Sequence, residues 1–252
     1  MHQHGYIGRK LRVPELQEKP AIILVTFGTS SRAERPLEIF RERVEKQFPD
    51  HQLFWAYSSN ILCRKKKLPT LQQTLATVEA AGFRRAVVQP LHIFPGTEYQ
   101  QMAETCEYFP GLRLFLSETL LHRWQFVKET LTTLEKDFLS PEEGLNILAL
   151  HGTPLTSDPV NGACLGLQQL AEDLYPNVVT ASLEGVPDHD AVFAAMDRKK
   201  LADHHQRLKI FPLMYLAGMH AEKDLMGEKN SWRSTLTEMG FTVECPTVTF
   251  EE

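Results

Sequence analysis

The chain passes twice through an alternating series of strand-like and helix-like segments, and this double series is the feature that most constrains its fold. The first series opens with the apolar, branched run AIILVTF (21–27), followed by the amphipathic PLEIFRERVEKQF (36–48). The second series opens with LNILALH (145–151). Strands that alternate with helices are typical of α/β proteins with parallel sheets. We therefore expect two similar lobes, each a parallel sheet flanked by helices, with a cleft between them.

Apolar periodicity and turn residues predict the individual elements. Strands are expected at 21–27, 52–58, 85–93, 112–117, 145–151, 177–185, 207–218 and 241–246. Helices are expected at 36–48, 70–83, 97–109, about 119–138, 161–175, 188–201 and roughly 222–239. Thr97 is a candidate N-cap, because its hydroxyl can accept a hydrogen bond from the first turn of a helix. The predicted domains are a polar N-terminal tail (1–20), an N-terminal lobe (21–138) and a C-terminal lobe (139–252).

The two lobes also match in detail around their strand ends. IILVTFGTS (22–30) parallels NILALHGTP (146–154), FWAYSS (54–59) parallels VTASLE (179–184), and VVQPLHIFPGTEY (87–99) parallels KIFPLMYLAGMHA (209–221). The alignment pairs three positions at predicted strand ends, namely Phe27 with His151, Ser59 with Glu184, and Glu98 with His220. In parallel α/β sheets, ligands bind at the carboxyl ends of the strands, so these positions are candidates for a site.

The second lobe carries the residue types of a metal site at these positions. His151, Glu184 and His220 supply two imidazoles and a carboxylate, which suit a borderline divalent ion such as Co²⁺, Fe²⁺, Ni²⁺ or Zn²⁺ and leave coordination positions open for exchange. The first-lobe counterparts cannot form such a site. We therefore expect one metal site, in the C-terminal lobe. Five other histidines, expected in polar loops or at helix ends, are predicted to be solvated: His51, His122, His189, His204 and His205.

Composition excludes several classes of protein. The formal net charge is −5, and the longest basic run, RKKK (64–67), is predicted as a solvated loop or helix end. We therefore expect no nucleic-acid partner. No apolar run reaches the roughly 18–20 residues of a spanning helix, and the N-terminal stretch lacks the apolar core of a secretory signal. The four cysteines form no C-x-x-C pair. A cytoplasmic protein without membrane partner is expected, and the absence of a P-loop predicts no nucleotide.

Six motifs together resemble one known family. They are TFGTS (26–30), VQPLHIFPGTEY (88–99), HGT (151–153), LEGVP (183–187), PLMYLAGMHAEKD (212–224) and NSW (230–232). In order and spacing they resemble the anaerobic, CbiK-type sirohydrochlorin cobaltochelatases, a branch of the class II tetrapyrrole chelatases, from Ala21 to about Val248. The resemblance implies a lyase that inserts Co²⁺ into sirohydrochlorin in cobalamin biosynthesis. It also implies that His151, Glu184 and His220 are the metal-binding and catalytic residues.

The resemblance implies a tetrapyrrole-binding role for the first lobe. The predicted contact residues are Phe27, Gly28, Thr29, Ser30 and His92. Phe27 is suited to pack against a flat macrocycle as a wall of the cleft. For His92, substrate contact, axial ligation of a tetrapyrrole and structural packing are all open. Arg32, Arg35 and the RKKK run are candidates for the carboxylates of the macrocycle, although solvated surface charge is the preferred interpretation of each.

The sequence departs from the family pattern close to two predicted ligands. Leu155, Asp158 and Asn161 replace a His, an Asn and a Tyr after His151, while Met219 and Lys223 replace an Asp and an Asn beside His220. Residues around metal ligands orient them and tune their affinity. Two alternatives to cobalt insertion therefore stay open: a chelatase for another metal and porphyrin pair, with Fe²⁺ or Ni²⁺, and a non-catalytic carrier of haem, another tetrapyrrole or metal. Related proteins form small homo-oligomers, which is an option here. Periplasmic binding proteins share the two-lobed shape, but the expected lack of a secretory signal argues against that class.

Overall fold

Two four-stranded parallel sheets form the framework of the protein. The structure is a computed structural model that describes residues 16–28, 35–214 and 220–246; the side chains of residues 35, 36 and 220–222 lie outside this description. The first sheet has the order β2-β1-β3-β4, and the second has the order β6-β5-β7-β8. The two orders are equivalent, so the predicted class, two similar α/β lobes with parallel sheets, is confirmed.

The strands and helices alternate as the sequence pattern indicates. The strands are β1 (Ala21–Thr26), β2 (Leu53–Tyr57), β3 (Arg85–Pro90), β4 (Arg113–Leu116), β5 (Gly144–Gly152), β6 (Val178–Glu184), β7 (Arg207–Leu213) and β8 (Thr242–Glu244). The helices are α1 (Arg35–Gln47), α2 (Asn60–Lys66), α3 (Leu71–Ala80), α4 (Thr97–Glu107), α5 (Trp124–Glu135), α6 (Val160–Leu174), α7 (His189–Arg198) and α8 (Trp232–Glu238). A 3₁₀ turn (Leu201–Asp203) and a π-helical turn (His220–Leu225) complete the described elements.

The structure differs from the predicted elements at α2, in the segment after His220 and at the end of β7. The short helix α2 was not predicted as an element. Its N-cap Ser59 accepts a hydrogen bond from the Leu62 amide, and the RKKK run lies at its C-terminal end. Basic side chains in a last turn complement the helix dipole, so the helix-end interpretation of this run is confirmed. The single helix predicted at 222–239 is wrong, because the chain leaves the helical conformation between the π-helical turn and α8, where Asn230 has a φ of 53°. Strand β7 ends at Leu213, well before the predicted residue 218.

Helices cover the first sheet on both faces. Successive side chains of a strand point to opposite faces. On one face, Ile23 and Val25 of β1 pack with Leu75 of α3 and Met102 of α4. On the other face, Leu24 packs with the apolar side of α1. The first lobe is therefore a three-layer unit with a core on each side of β1.

The second sheet is covered in the same way, but one helix comes from the preceding segment. Ile147 and Ala149 of β5 pack with α7 and α8, while Leu148 and Leu150 face the other layer. That layer contains α6 together with α5, whose Leu131 is fully buried in it. Helix α5 precedes residue 139 in the chain yet packs on the second sheet. The domain limits given above stay predictions.

Candidate metal and tetrapyrrole site

The topology brings two of the three predicted metal ligands, His151 and Glu184, to neighbouring strand ends. Strand β5 is the central partner of β6 and β7 in the second sheet. His151 is the penultimate residue of β5, and Glu184 is the last residue of β6. His220 begins the π-helical turn that follows β7 along the chain. Because all pairings are parallel, the ends of these strands lie at one edge of the sheet.

Two glycines hold the loops of His151 and Glu184 in direct backbone contact. Gly152 lies opposite Glu184 in the strand register and has a φ of 70°. A Cβ atom at Gly152 would overlap the carbonyl oxygen of Glu184, and a Cβ atom at Gly185 (φ 80°) would overlap the carbonyl oxygen of Thr153. Each loop therefore needs a residue without a side chain at its contact with the other. This reciprocal contact fixes the spacing of the two predicted ligands.

His151 and Glu184 are both solvent-exposed at this edge, whereas the strand residues that precede them are buried or half-buried. The Nδ1 atom of His151 lies 3.1 Å from the carbonyl oxygen of Gly152. A carbonyl oxygen only accepts hydrogen bonds, so the neutral imidazole carries its hydrogen on Nδ1 and its lone pair on Nε2. Histidine ligands in metal sites are commonly oriented in this way by a backbone carbonyl.

The third predicted ligand, His220, is assigned from the sequence alone, because its side chain lies outside the described part of the structure. Among the described side chains, no three His, Cys, Asp or Glu residues come together closely enough to hold a metal ion. His151 and Glu184 are thus placed on adjacent strand ends, and the full set of two imidazoles and one carboxylate stays a prediction.

The loop after Glu184 is tied to β6 through Ser182. The Ser182 amide donates to the Pro187 carbonyl (2.7 Å), and the Ser182 hydroxyl donates to the Val186 carbonyl (2.9 Å). His189 Nδ1 lies 3.0 Å from the Ser182 carbonyl oxygen, and its ring stacks on Trp232. The prediction that His189 is a solvated residue is therefore wrong, since its side chain is 29% exposed and bonded on the inner side of the loop. Sequence reasoning missed this residue, although the unassigned Trp of the NSW motif was a signal.

The first lobe repeats the turn at the end of its central strand. Phe27 follows β1 and is 50% exposed, while Gly28 has a φ of 92°, in the same region as Gly152. A Cβ atom at Gly28 would press on Leu62 and Tyr57 at 3.2 Å. An exposed phenyl ring at a strand end is available to a ligand. Thr29, Ser30 and Arg32 lie outside the described residues, as does the side chain of Arg35.

His92 lies at the same edge of the first sheet, two residues after β3. Its Nε2 atom is 3.0 Å from the hydroxyl of Ser58, which directly follows β2. Burial lowers the pKa of His92 to about 4, because desolvation disfavours the charged ring. Its Nδ1 atom is buried without a hydrogen-bond partner. His92 is therefore a neutral imidazole at physiological pH.

Asp158, one of the departures from the family pattern, joins the two lobes. Its side chain is buried, and its carboxylate accepts a hydrogen bond from the Thr97 hydroxyl (2.8 Å) and another from the Val160 amide (3.0 Å). The N-cap prediction for Thr97 is wrong, because α4 begins at Thr97 and Gly96 occupies the cap without a side-chain bond. The hydroxyl instead bonds across to the start of α6. Of the other departures, Leu155 is 58% exposed, Lys223 is exposed and Met219 lies outside the described residues.

A cavity of about 230 Å³ also lies at the junction of the lobes. Phe94 and Pro95 line it from the first lobe, and Trp124, Val127 and Leu167 line it from α5 and α6. Its wall is mainly apolar, and it contains none of the predicted site residues. The cavity is therefore separate from the predicted site.

Comparison with known proteins places the chain in a family. Residues 20–251 match the family model described as cobalt chelatase (CbiK). The chain is 26% identical over 236 residues to the sirohydrochlorin cobaltochelatase CbiKC of Nitratidesulfovibrio vulgaris, covering 88% of this chain and 81% of the relative. It is 25% identical over 234 residues to the sirohydrochlorin cobaltochelatase of Salmonella typhimurium, covering 88% of this chain and 86% of the relative.

A solved structure shares the fold. SirB from Bacillus subtilis with Fe³⁺ superposes with a TM-score of 0.61 at 14% identity, covering 90% of this chain and 88% of that one. Within the described residues, no helix is both long and apolar enough to cross a membrane. The family model spans nearly the whole sequence, including both lobes and all three predicted metal ligands, and the chain therefore belongs to the cobalt chelatase (CbiK) family.

Proposed function

We propose that this protein inserts Co²⁺ into sirohydrochlorin in anaerobic cobalamin biosynthesis, and that His151, Glu184 and His220 carry the ion. The observation that carries this proposal is the contact between the His151 and Glu184 loops at one sheet edge, beside the strand that leads to His220. Membership of the cobalt chelatase family and two relatives named as sirohydrochlorin cobaltochelatases support the choice of metal and macrocycle.

The proposed ligands suit a metal that must be released again. Imidazole and carboxylate groups bind Co²⁺ and neighbouring divalent ions, and three protein ligands leave positions open for the incoming macrocycle. His151 and Glu184 are exposed, so their donor atoms are accessible to an ion and to a ring placed over it. The ion is a substrate that passes from the protein to the macrocycle.

Insertion also requires that two pyrrole nitrogens lose their protons. As the ion leaves its protein ligands, an imidazole or the Glu184 carboxylate regains a lone pair next to the ring. Such a group is a suitable general base, because it lies near the nitrogens when they must be deprotonated. The reaction needs no nucleotide in this scheme, and none is proposed.

The first lobe is proposed to bind the face and edge of the macrocycle. The exposed ring of Phe27 offers an apolar wall for the flat tetrapyrrole. His92 is neutral at physiological pH because burial lowers its pKa to about 4. It therefore supplies no positive charge for the carboxylates of the macrocycle. Gly28, Thr29 and Ser30 are proposed to contact the ring.

The test is an anaerobic chelation assay. Purified protein is mixed with sirohydrochlorin and with Co²⁺, Fe²⁺, Ni²⁺ or Zn²⁺ in turn, and the tetrapyrrole absorbance is followed. We expect the largest acceleration with Co²⁺, and its loss in His220→Ala. His205→Ala is the control, because His205 lies just before β7, at the opposite end of that strand. No acceleration with any ion would refute the enzyme, and tetrapyrrole binding without turnover would identify a carrier.

The cellular setting is also a proposal. All four cysteines lie within the described residues, and each is a free thiol, which fits a reducing compartment such as the cytoplasm. We propose no nucleic-acid or membrane partner. Light scattering would determine whether the protein forms a homo-oligomer.

A further inference from the structure

The loop of Glu184 rests on a cluster of three aromatic rings. His189, the first residue of α7, stacks on Trp232 with ring centroids 5.5 Å apart and an interplanar angle of 30°. Phe193, one turn further along α7, meets Trp232 edge to face at 5.3 Å. Trp232 and Phe193 are 3% and 4% exposed, so the stack belongs to the core beneath the site.

His189 links this cluster to the strand that carries Glu184. Its Nδ1 atom is 3.0 Å from the Ser182 carbonyl oxygen, two residues before Glu184. The carbonyl can only accept, so the imidazole donates its Nδ1 hydrogen. Ser182 also closes the loop after Glu184 through its amide and hydroxyl bonds to Pro187 and Val186. The imidazole thus completes the set of bonds that fixes the end of β6.

Trp232 links the same cluster to the segment that begins at His220. The π-helical turn from His220 ends at Leu225, which is fully buried in the core that contains Trp232. The Gly227 amide then donates to the Lys223 carbonyl (3.2 Å), and the Ser231 hydroxyl donates to the Gly227 carbonyl (2.6 Å). The backbone from Lys223 to Trp232, which directly follows the His220 turn, is therefore held to the same core.

We infer that His189 is a positioning residue of the metal site, which fixes the Glu184 loop relative to the His220 segment through its bond to Ser182 and its stack on Trp232. The inference rests on the proposed ligands. Partners that orient metal ligands typically change metal affinity about 10- to 100-fold when they are removed. Loss of the Nδ1 donor should therefore weaken Co²⁺ binding without a comparable effect on the tetrapyrrole.

Two substitutions separate the contributions of His189. His189→Phe keeps a ring for Trp232 but removes the donor, whereas His189→Asn keeps a donor at the position of Nδ1 but removes the stack. We expect His189→Phe to raise the Kd for Co²⁺ about 10- to 100-fold, with an altered visible spectrum of the bound ion. His189→Asn should recover part of that loss. His205→Phe, a matched ring substitution near the opposite end of the sheet, should bind Co²⁺ as the wild type does.

A double-mutant cycle distinguishes positioning from general structural support. If His189 acts through Glu184, His189→Phe should add little to the loss of Co²⁺ affinity in Glu184→Gln, because coupled residues are not additive. Wild-type affinity and spectrum in His189→Phe, or a fully additive double variant, would overturn the inference while the proposed function stands. Wild-type Co²⁺ affinity in Glu184→Gln would instead refute the ligand assignment, and the inference with it.

Discussion

Substitution of Gly152 by alanine tests the arrangement of the two ligand-bearing loops. Gly152 follows His151 directly, has a φ of 70° and lies opposite Glu184 in the strand register. An added Cβ atom would overlap the Glu184 carbonyl oxygen. One methyl group therefore disturbs the backbone of both predicted ligands without removing either of them.

The expected loss of stability has two sources. A non-glycine residue in the left-handed region costs about 1–2 kcal/mol. Overpacking against a neighbour that cannot move freely costs typically about 1–3 kcal/mol, and here the neighbour is backbone. The sum of about 2–5 kcal/mol corresponds to a fall in Tm of about 4–20 °C for a chain of this size. Because both loops must shift, Co²⁺ affinity and the rate of chelation should fall as well.

The assay compares Gly152→Ala with Gly162→Ala. Gly162 lies in α6, and a Cβ atom built there meets nothing within 4 Å. Alanine is the better helix former, so this control should be neutral or stabilised by up to about 1 kcal/mol. Thermal unfolding and Co²⁺ titration of both variants complete the comparison. A Gly152→Ala protein with the Tm and Co²⁺ affinity of the wild type would refute the backbone contact.

Three further predictions concern the rest of the site. In the folded state the pKa of His92 is about 4, whereas a histidine in the unfolded chain has its ordinary pKa of 6.5. The unfolded state therefore binds more protons than the folded state between these two pH values. The free energy of unfolding should therefore fall by about 3 kcal/mol as the pH drops from above 6.5 to about 4, and urea unfolding should show this fall reduced in His92→Gln. Thr97→Val leaves the buried Asp158 carboxylate short of a donor and should cost about 1–3 kcal/mol in chemical unfolding, whereas Thr97→Ser should be close to the wild type. Phe27→Ala should raise the Kd for sirohydrochlorin, measured by fluorescence quenching, and leave Co²⁺ affinity unchanged; an equal loss of both would contradict the assignment of Phe27 to the macrocycle.

The sequence pattern was sufficient to predict the two sheets. Each central strand is a short apolar run bounded by turn residues, and the alternation with amphipathic helices leaves few arrangements other than parallel sheets. The repeated aromatic-Gly-Thr turn also identified equivalent positions, and Gly28 and Gly152 both adopt positive φ values. These features are local, so they can be recognised along the chain without knowledge of distant contacts.

The secondary-structure limits and the role of His189 could not be obtained in that way. The helical pattern after His220 runs on to residue 239, but the structure interrupts it before α8, where the Ser231 hydroxyl caps the new helix by accepting from the Ser234 amide. His189 resembles any polar residue at the start of a helix, and its burial depends on Trp232, which lies 43 positions further along the chain.

By itself, therefore, the sequence determined the two repeated α/β lobes. It also predicted the edge of each sheet where a ligand should bind and the three side chains proposed to hold the metal. Only the tertiary structure decided how the lobes are joined and how the ligand loops are supported. Helix α5 packs on the second sheet, Asp158 bonds to Thr97 of the other lobe, and His189 bonds beneath the Glu184 loop. Each of these contacts joins residues distant in sequence, and their energies depend on shape and burial in the folded chain, which local periodicity does not encode.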